Sequence, residues 1–116
     1  MSTLRVTTLQ TQAGVEVYTA KAWVNFNGTG TVAIRASGNV SSITDNGTGD
    51  YTLNFTVAMT DTNYSVLFQG AGDNDTLPMP IKQGTTPTTT AVRVACFNTA
   101  VTTAVDRTYG FVAIFR

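Results

Sequence analysis

Over residues 21–26, apolar positions recur at every second place: Ala22, Val24 and Phe26 point one way, Trp23 and Asn25 the other. The same alternation returns over residues 51–55, where Tyr51, Leu53 and Phe55 oppose Thr52 and Asn54. A period of two is that of a half-buried strand and not of a helix. Further alternating runs follow. Val32 and Ile34 oppose Ala33 and Arg35; Tyr64, Val66 and Phe68 oppose Leu67; Val92, Val94 and Cys96 oppose Arg93, Ala95 and Phe97. Short polar corners separate them: Asn27-Gly28, suited to left-handed turn positions, then Gly38-Asn39, then the loop 45–50. Strands joined by so few residues pair antiparallel. No stretch of ten residues has helical spacing, and residues 101–106 have room for one helical turn at most. The pattern predicts an all-β chain of eight or nine short strands, a small antiparallel β-sandwich of jelly-roll-like kind.

Two stretches break this regularity. Residues 111–115 (Phe111, Val112, Ala113, Ile114, Phe115) are apolar without interruption, so this strand needs cover on both faces. Either it is central in the sandwich with side chains over its outer face, or it packs on another subunit through Phe111, Ala113 and Phe115. Residues 70–87 form the longest irregular stretch, holding all three prolines and the cluster Asp73-Asn74-Asp75. Loops of that length commonly bind or contact something. Residues 1–20 serve either as first strands closing the domain or as an arm docked on a neighbouring subunit or larger particle; the domain proper is expected over residues 21–116.

Composition narrows the function. A chain of 116 residues supports one core. Only 12% of it is charged, against about a quarter in ordinary proteins, and its polarity comes from Thr, Asn, Ser and Gly. A net charge of zero gives no electrostatic reason to expect nucleic acid or an anionic membrane as partner. Low charge also weakens mutual repulsion between copies, which favours assembly. No run approaches the roughly 18 apolar residues of a membrane span, and the first residues lack the apolar run of a secretory leader. With Met1 at its head the chain is expected to be a whole small gene product.

The absence of histidine removes Ser-His-Asp and Cys-His nucleophiles and the common zinc sites. The single cysteine, Cys96, is in phase with Val92 and Val94 and reads as a small buried hydrophobe. That leaves carboxylates. Asp45 and Asp50 flank an Asn-Gly-Thr-Gly loop as turn formers do, and a glycosidase pair would have to face across a cleft. Asp73, Asn74 and Asp75 read as an exposed loop with the donors of a weak calcium or recognition site, although EF-hand spacing is missing. No enzyme, cofactor or bound metal is expected. Exposed aromatics beside amides are the remaining candidates for surface recognition: Trp23 with Asn25, and Tyr64 with a loop Asn. Packing at a core or subunit seam is the competing use of both rings.

The run from Lys21-Ala22-Trp23-Val24-Asn25-Phe26-Asn27-Gly28-Thr29-Gly30-Thr31, continuing through Ile34-Arg35 and from Asn39 to Tyr51, resembles a segment of tail-fibre and other virion-appendage proteins of tailed bacteriophages. The likeness covers roughly residues 20–57. The closing run from Tyr109 to Phe115 is similar, more loosely, to the apolar last strand of such proteins. The resemblance implies a non-enzymatic virion protein, assembled in the host cytoplasm as a homotrimer beside other virion proteins and touching a host surface glycan. Only some 20 residues precede the motif, where such fibres have long shafts. A tail fibre or tail tip on one side and a capsid decoration or spike on the other therefore both stay open. A monomeric carbohydrate-binding module is the alternative.

Overall fold

The computed structural model describes residues 8–15, 17–72, 76–78, 81–82, 84–98, 100 and 102–116. Among the described residues eight strands form: β1 (Ala22–Asn27), β2 (Ala33–Gly38), β3 (Val40–Gly47), β4 (Asp50–Phe55), β5 (Ser65–Ala71), β6 (Thr76–Pro78), β7 (Ala91–Ala95) and β8 (Tyr109–Phe115). They make two antiparallel sheets, β2-β1-β8-β5-β6 and β3-β4-β7, in a sandwich-like arrangement. The described residues contain no helix.

The alternation read along the chain becomes the core. Ala22, Val24 and Phe26 of β1 face Tyr51, Leu53 and Phe55 of β4, with Val92 and Val94 of β7 and Val112 and Ile114 of β8 completing the cluster. Phe26 meets Tyr51 edge to face, centroids 5.2 Å apart, and Phe55 meets Tyr64 likewise at 5.8 Å. Such pairs add to simple area burial. Cys96 is fully buried, as its phase requires.

The chain passes from one sheet to the other at Asn39, whose φ of 56° is left-handed. Its side chain binds the corner together. Nδ2 donates to the carbonyls of Lys21 (3.0 Å) and Val57 (3.1 Å), and Oδ1 accepts from the Val57 N–H at 2.7 Å.

Three expectations are corrected. Asn27-Gly28 is not the left-handed pair, since Gly30 carries the positive φ. Gly28 is small for another reason: a Cβ there would lie 2.5 Å from the Tyr51 hydroxyl. Asp45 does cap a turn, accepting from the Gly47 N–H, but Asp50 does not. Asp50 is buried beside β7 and accepts from Arg93 Nε at 2.8 Å and Nη2 at 2.7 Å. Residues 70–87 are not irregular throughout either, because β6 pairs with β5 and Ile81 bridges to Val94. Pro78 lies on this edge strand, where a missing N–H is tolerated.

Before β1, a local hairpin closes through Thr11 N–H to Val15 O and Val17 N–H to Leu9 O, both 2.7 Å. All described residues from 8 to 20 are exposed and none enters the core. Lys21 N–H, bonded to Ile114 O, marks where this segment meets the sandwich.

Candidate functional site: the outer face of the five-stranded sheet

A sandwich has two outer faces, and here they differ in chemistry. On the three-stranded sheet the outward residues bond to one another. Asn54 Nδ2 donates to Ser42 Oγ and Thr44 Oγ1, and Asn46 Nδ2 to Thr52 Oγ1. That surface is polar and its groups are already paired.

The other outer face is apolar. β8 lies at the centre of its sheet, with Gly110, Val112 and Ile114 inward and Tyr109, Phe111, Ala113 and Phe115 outward. Register puts Trp23, Ala113 and Leu67 in one row across β1, β8 and β5, and Asn25, Phe111 and Gln69 in the next. Trp23 is 44% exposed, Leu67 58%, Tyr109 42%, Phe111 37% and Phe115 38%. Along β8 this stripe runs about 20 Å, at roughly 3.3 Å per residue.

Local contacts hold the rings in place. The Trp23 indole lies over Gly38, its cross-strand partner, so closely that a Cβ on Gly38 would overlap it. Tyr109 and Phe111 stack with centroids 5.7 Å apart. The Arg35 guanidinium carbon lies 4.4 Å from the Tyr109 ring centroid, while Nη2 donates to Thr108 O at 2.7 Å and Nη1 to Asn25 Oδ1 at 3.3 Å. A cation on a ring face and a bonded amide give this end of the stripe a polar border.

Residues read separately in the sequence thus share one surface: Trp23 and Asn25, picked for recognition, and Phe111, Ala113 and Phe115, picked for a subunit contact. Tyr64 does not join them. Its ring is buried against Phe55, its hydroxyl donates to Thr88 O at 2.8 Å, and burial raises its pKa to about 12. It is a core residue, as its phase with Val66 and Phe68 implied. Asp73, Asn74 and Asp75 lie outside the described residues. The sequence reading missed Leu67, Tyr109 and Arg35 as members of this face. Leu67 had a usable signal, since it stands out of phase with the apolar face of β5.

The carboxylates of the described aspartates are engaged within the fold. Besides Asp45 and Asp50, Asp61 accepts from Arg116 Nε and Nη2, and Asp106 accepts from the Tyr51 hydroxyl and the Gly49 N–H. Burial, then the hydrogen bond to Asp106, raises the Tyr51 pKa. Among the described residues no three His, Cys, Asp or Glu side chains come together as a metal site would need.

Fold and face together define a class: an all-β sandwich module that presents one closed polar face and one open aromatic face. No family model, curated protein or solved structure matches the chain.

Proposed function

We propose that this chain is a non-enzymatic structural protein of a bacteriophage virion appendage, assembling as a homotrimer through the outer face of its five-stranded sheet. The observation that carries the proposal is the contrast between the two outer faces. A monomer would be expected to make both outer faces polar, whereas here only one is. The resemblance over residues 20–57 supplies the virion setting, at a tail tip, tail fibre or capsid decoration. The pairing of first strand with last, β1 with β8, supports the finer jelly-roll-like reading.

Magnitudes favour a contact larger than the stripe alone. Side chains of this size present about 150–250 Å² when bare, so the exposed parts of the five large residues amount to roughly 400–500 Å². At about 25 cal/mol per Å² their burial contributes roughly 10–12 kcal/mol, which lies inside the association cost of about 4–15 kcal/mol. Each subunit must therefore bring further apolar surface to the contact.

A second reading has its own observation. Trp23, Tyr109 and Phe111 beside Asn25 and Arg35 offer rings and hydrogen-bonding groups of the kind a sugar can use, as in a monomeric carbohydrate-binding module. Light scattering separates the two. A mass three times the 12.3 kDa of one chain, lost on Phe111→Lys, supports assembly. A monomer that binds sugars at millimolar concentration supports the second reading and overturns the first. Imaging the assembled particle with the chain located in it tests the virion setting.

A further inference from the structure

We infer that the open aromatic face of one copy is covered by the N-terminal hairpin of a neighbouring copy. The inference rests on the assembly reading and names the contact that completes it.

The hairpin carries four large apolar side chains that, among the described residues, stay outside the core cluster of their own chain. Leu9 is 46% exposed, Val15 62%, Val17 38% and Tyr18 79%, and the hydrogen bonds among the described residues of the segment close it on itself. From Thr8 to Ala20 the sequence carries a single charge, Glu16, so little charge must be stripped of water when the segment docks. The sandwich shows the complementary deficit: a core-facing side fully packed, and an outward stripe of Trp23, Leu67, Phe111 and Phe115 left open.

Area and reach both fit. The four hairpin side chains expose roughly 350–400 Å², judged from the bare areas of side chains their size. With the stripe's roughly 400–500 Å² the contact comes to about 750–900 Å² of apolar surface, and the polar border at Asn25 and Gln69 brings it towards the roughly 1,000 Å² a specific interface needs. The segment springs from Lys21, next to the Phe115 end of the stripe, and its tip at Ala13 lies eight positions before that root. At about 3.3 Å per residue, a hairpin and tether of this length extend some 20–25 Å from the root, about the length of the stripe on an adjacent copy.

Trp23 is the only tryptophan, so its fluorescence reports cover on this face alone. The test uses the full chain, with light-scattering mass and acrylamide quenching of Trp23 read together. The expected wild type is an oligomer with a shielded, blue-shifted Trp23. Val15→Asp with Tyr18→Asp should raise the subunit dissociation constant at least 100-fold and make Trp23 quenchable. The far-UV spectrum should stay unchanged, since the hairpin lies outside the core. Val15→Ala with Tyr18→Ala, a gentler pair, should move both readouts the same way. Ser42→Asp, on the polar face, should move neither. If both hairpin variants remain oligomers with Trp23 shielded, the inference is overturned while the assembly reading survives. A wild-type monomer with Trp23 quenchable overturns both. A wild-type monomer with Trp23 shielded means the hairpin folds back on its own sheet, which also overturns the inference.

Discussion

Asp50 and Asp61 are each gripped by both nitrogens of an arginine fork, a geometry that favours the carboxylate over the acid. The Arg93 hydrogen bonds lower the Asp50 pKa against the opposing effect of burial, and those of Arg116 bring Asp61 down to about 2. A folded pKa below the unfolded value of about 3.9 means stabilisation that is complete above that pH. It is lost as pH falls through the folded values. Urea midpoints should therefore fall between pH 5 and pH 2, and Asp50→Asn with Asp61→Asn should flatten that dependence. Gly49 and Gly30 separate two effects that single substitutions usually mix. Both have positive φ, but a Cβ on Gly30 meets nothing within 4 Å, while one on Gly49 falls 2.5 Å from Cys96 O. Gly30→Ala should cost about 1–2 kcal/mol from the backbone alone. Gly49→Ala should cost about 2–4 kcal/mol by thermal or urea unfolding, because the clash is with backbone that cannot swing away. The glycine-rich corners were visible in the sequence. Which glycine served conformation and which served contact was not, because the contacts come from residues some 50 positions away.

At the scale of the element, the β2–β3 corner is where the two sheets become one domain. Asn39→Ala removes three side-chain hydrogen bonds and leaves an alanine at φ 56°, so a loss of about 2–4 kcal/mol is expected. Asn39→Gly loses the same bonds without the backbone strain and should be milder by about 1 kcal/mol in the same urea titration. The inward faces of β1, β4, β5 and β7 were legible from alternation alone, since a period of two admits one burial solution per strand. β6 was not. Three residues are too few to show a period, and only pairing with β5 makes them a strand. Asp50 misled for a related reason: beside Gly49 it reads as a turn former, and its arginine partner is 43 positions later.

For the whole molecule, β8 is the strand on which the larger sheet depends. It pairs with β1 at one side and β5 at the other, joining the last strand to the first. The amides of Val112 and Ile114 should exchange hydrogen only through global unfolding, whereas those of β6 and of residues 9–15 should exchange much sooner. Hydrogen exchange followed residue by residue checks this ordering. Pairings of such long sequence separation also predict refolding in the millisecond-to-second range, measurable by stopped-flow fluorescence of Trp23. What the amino-acid order determined by itself was local: strands, corners, the inward face of each strand, and a last strand apolar on both sides. Those follow from side-chain periodicity and turn chemistry, which act over a few residues. Only the tertiary structure decided that Trp23, Leu67, Tyr109, Phe111 and Phe115 share one open surface while Tyr64 is buried. Which outward residues become neighbours depends on strand order, and strand order arises from pairings between distant parts of the chain.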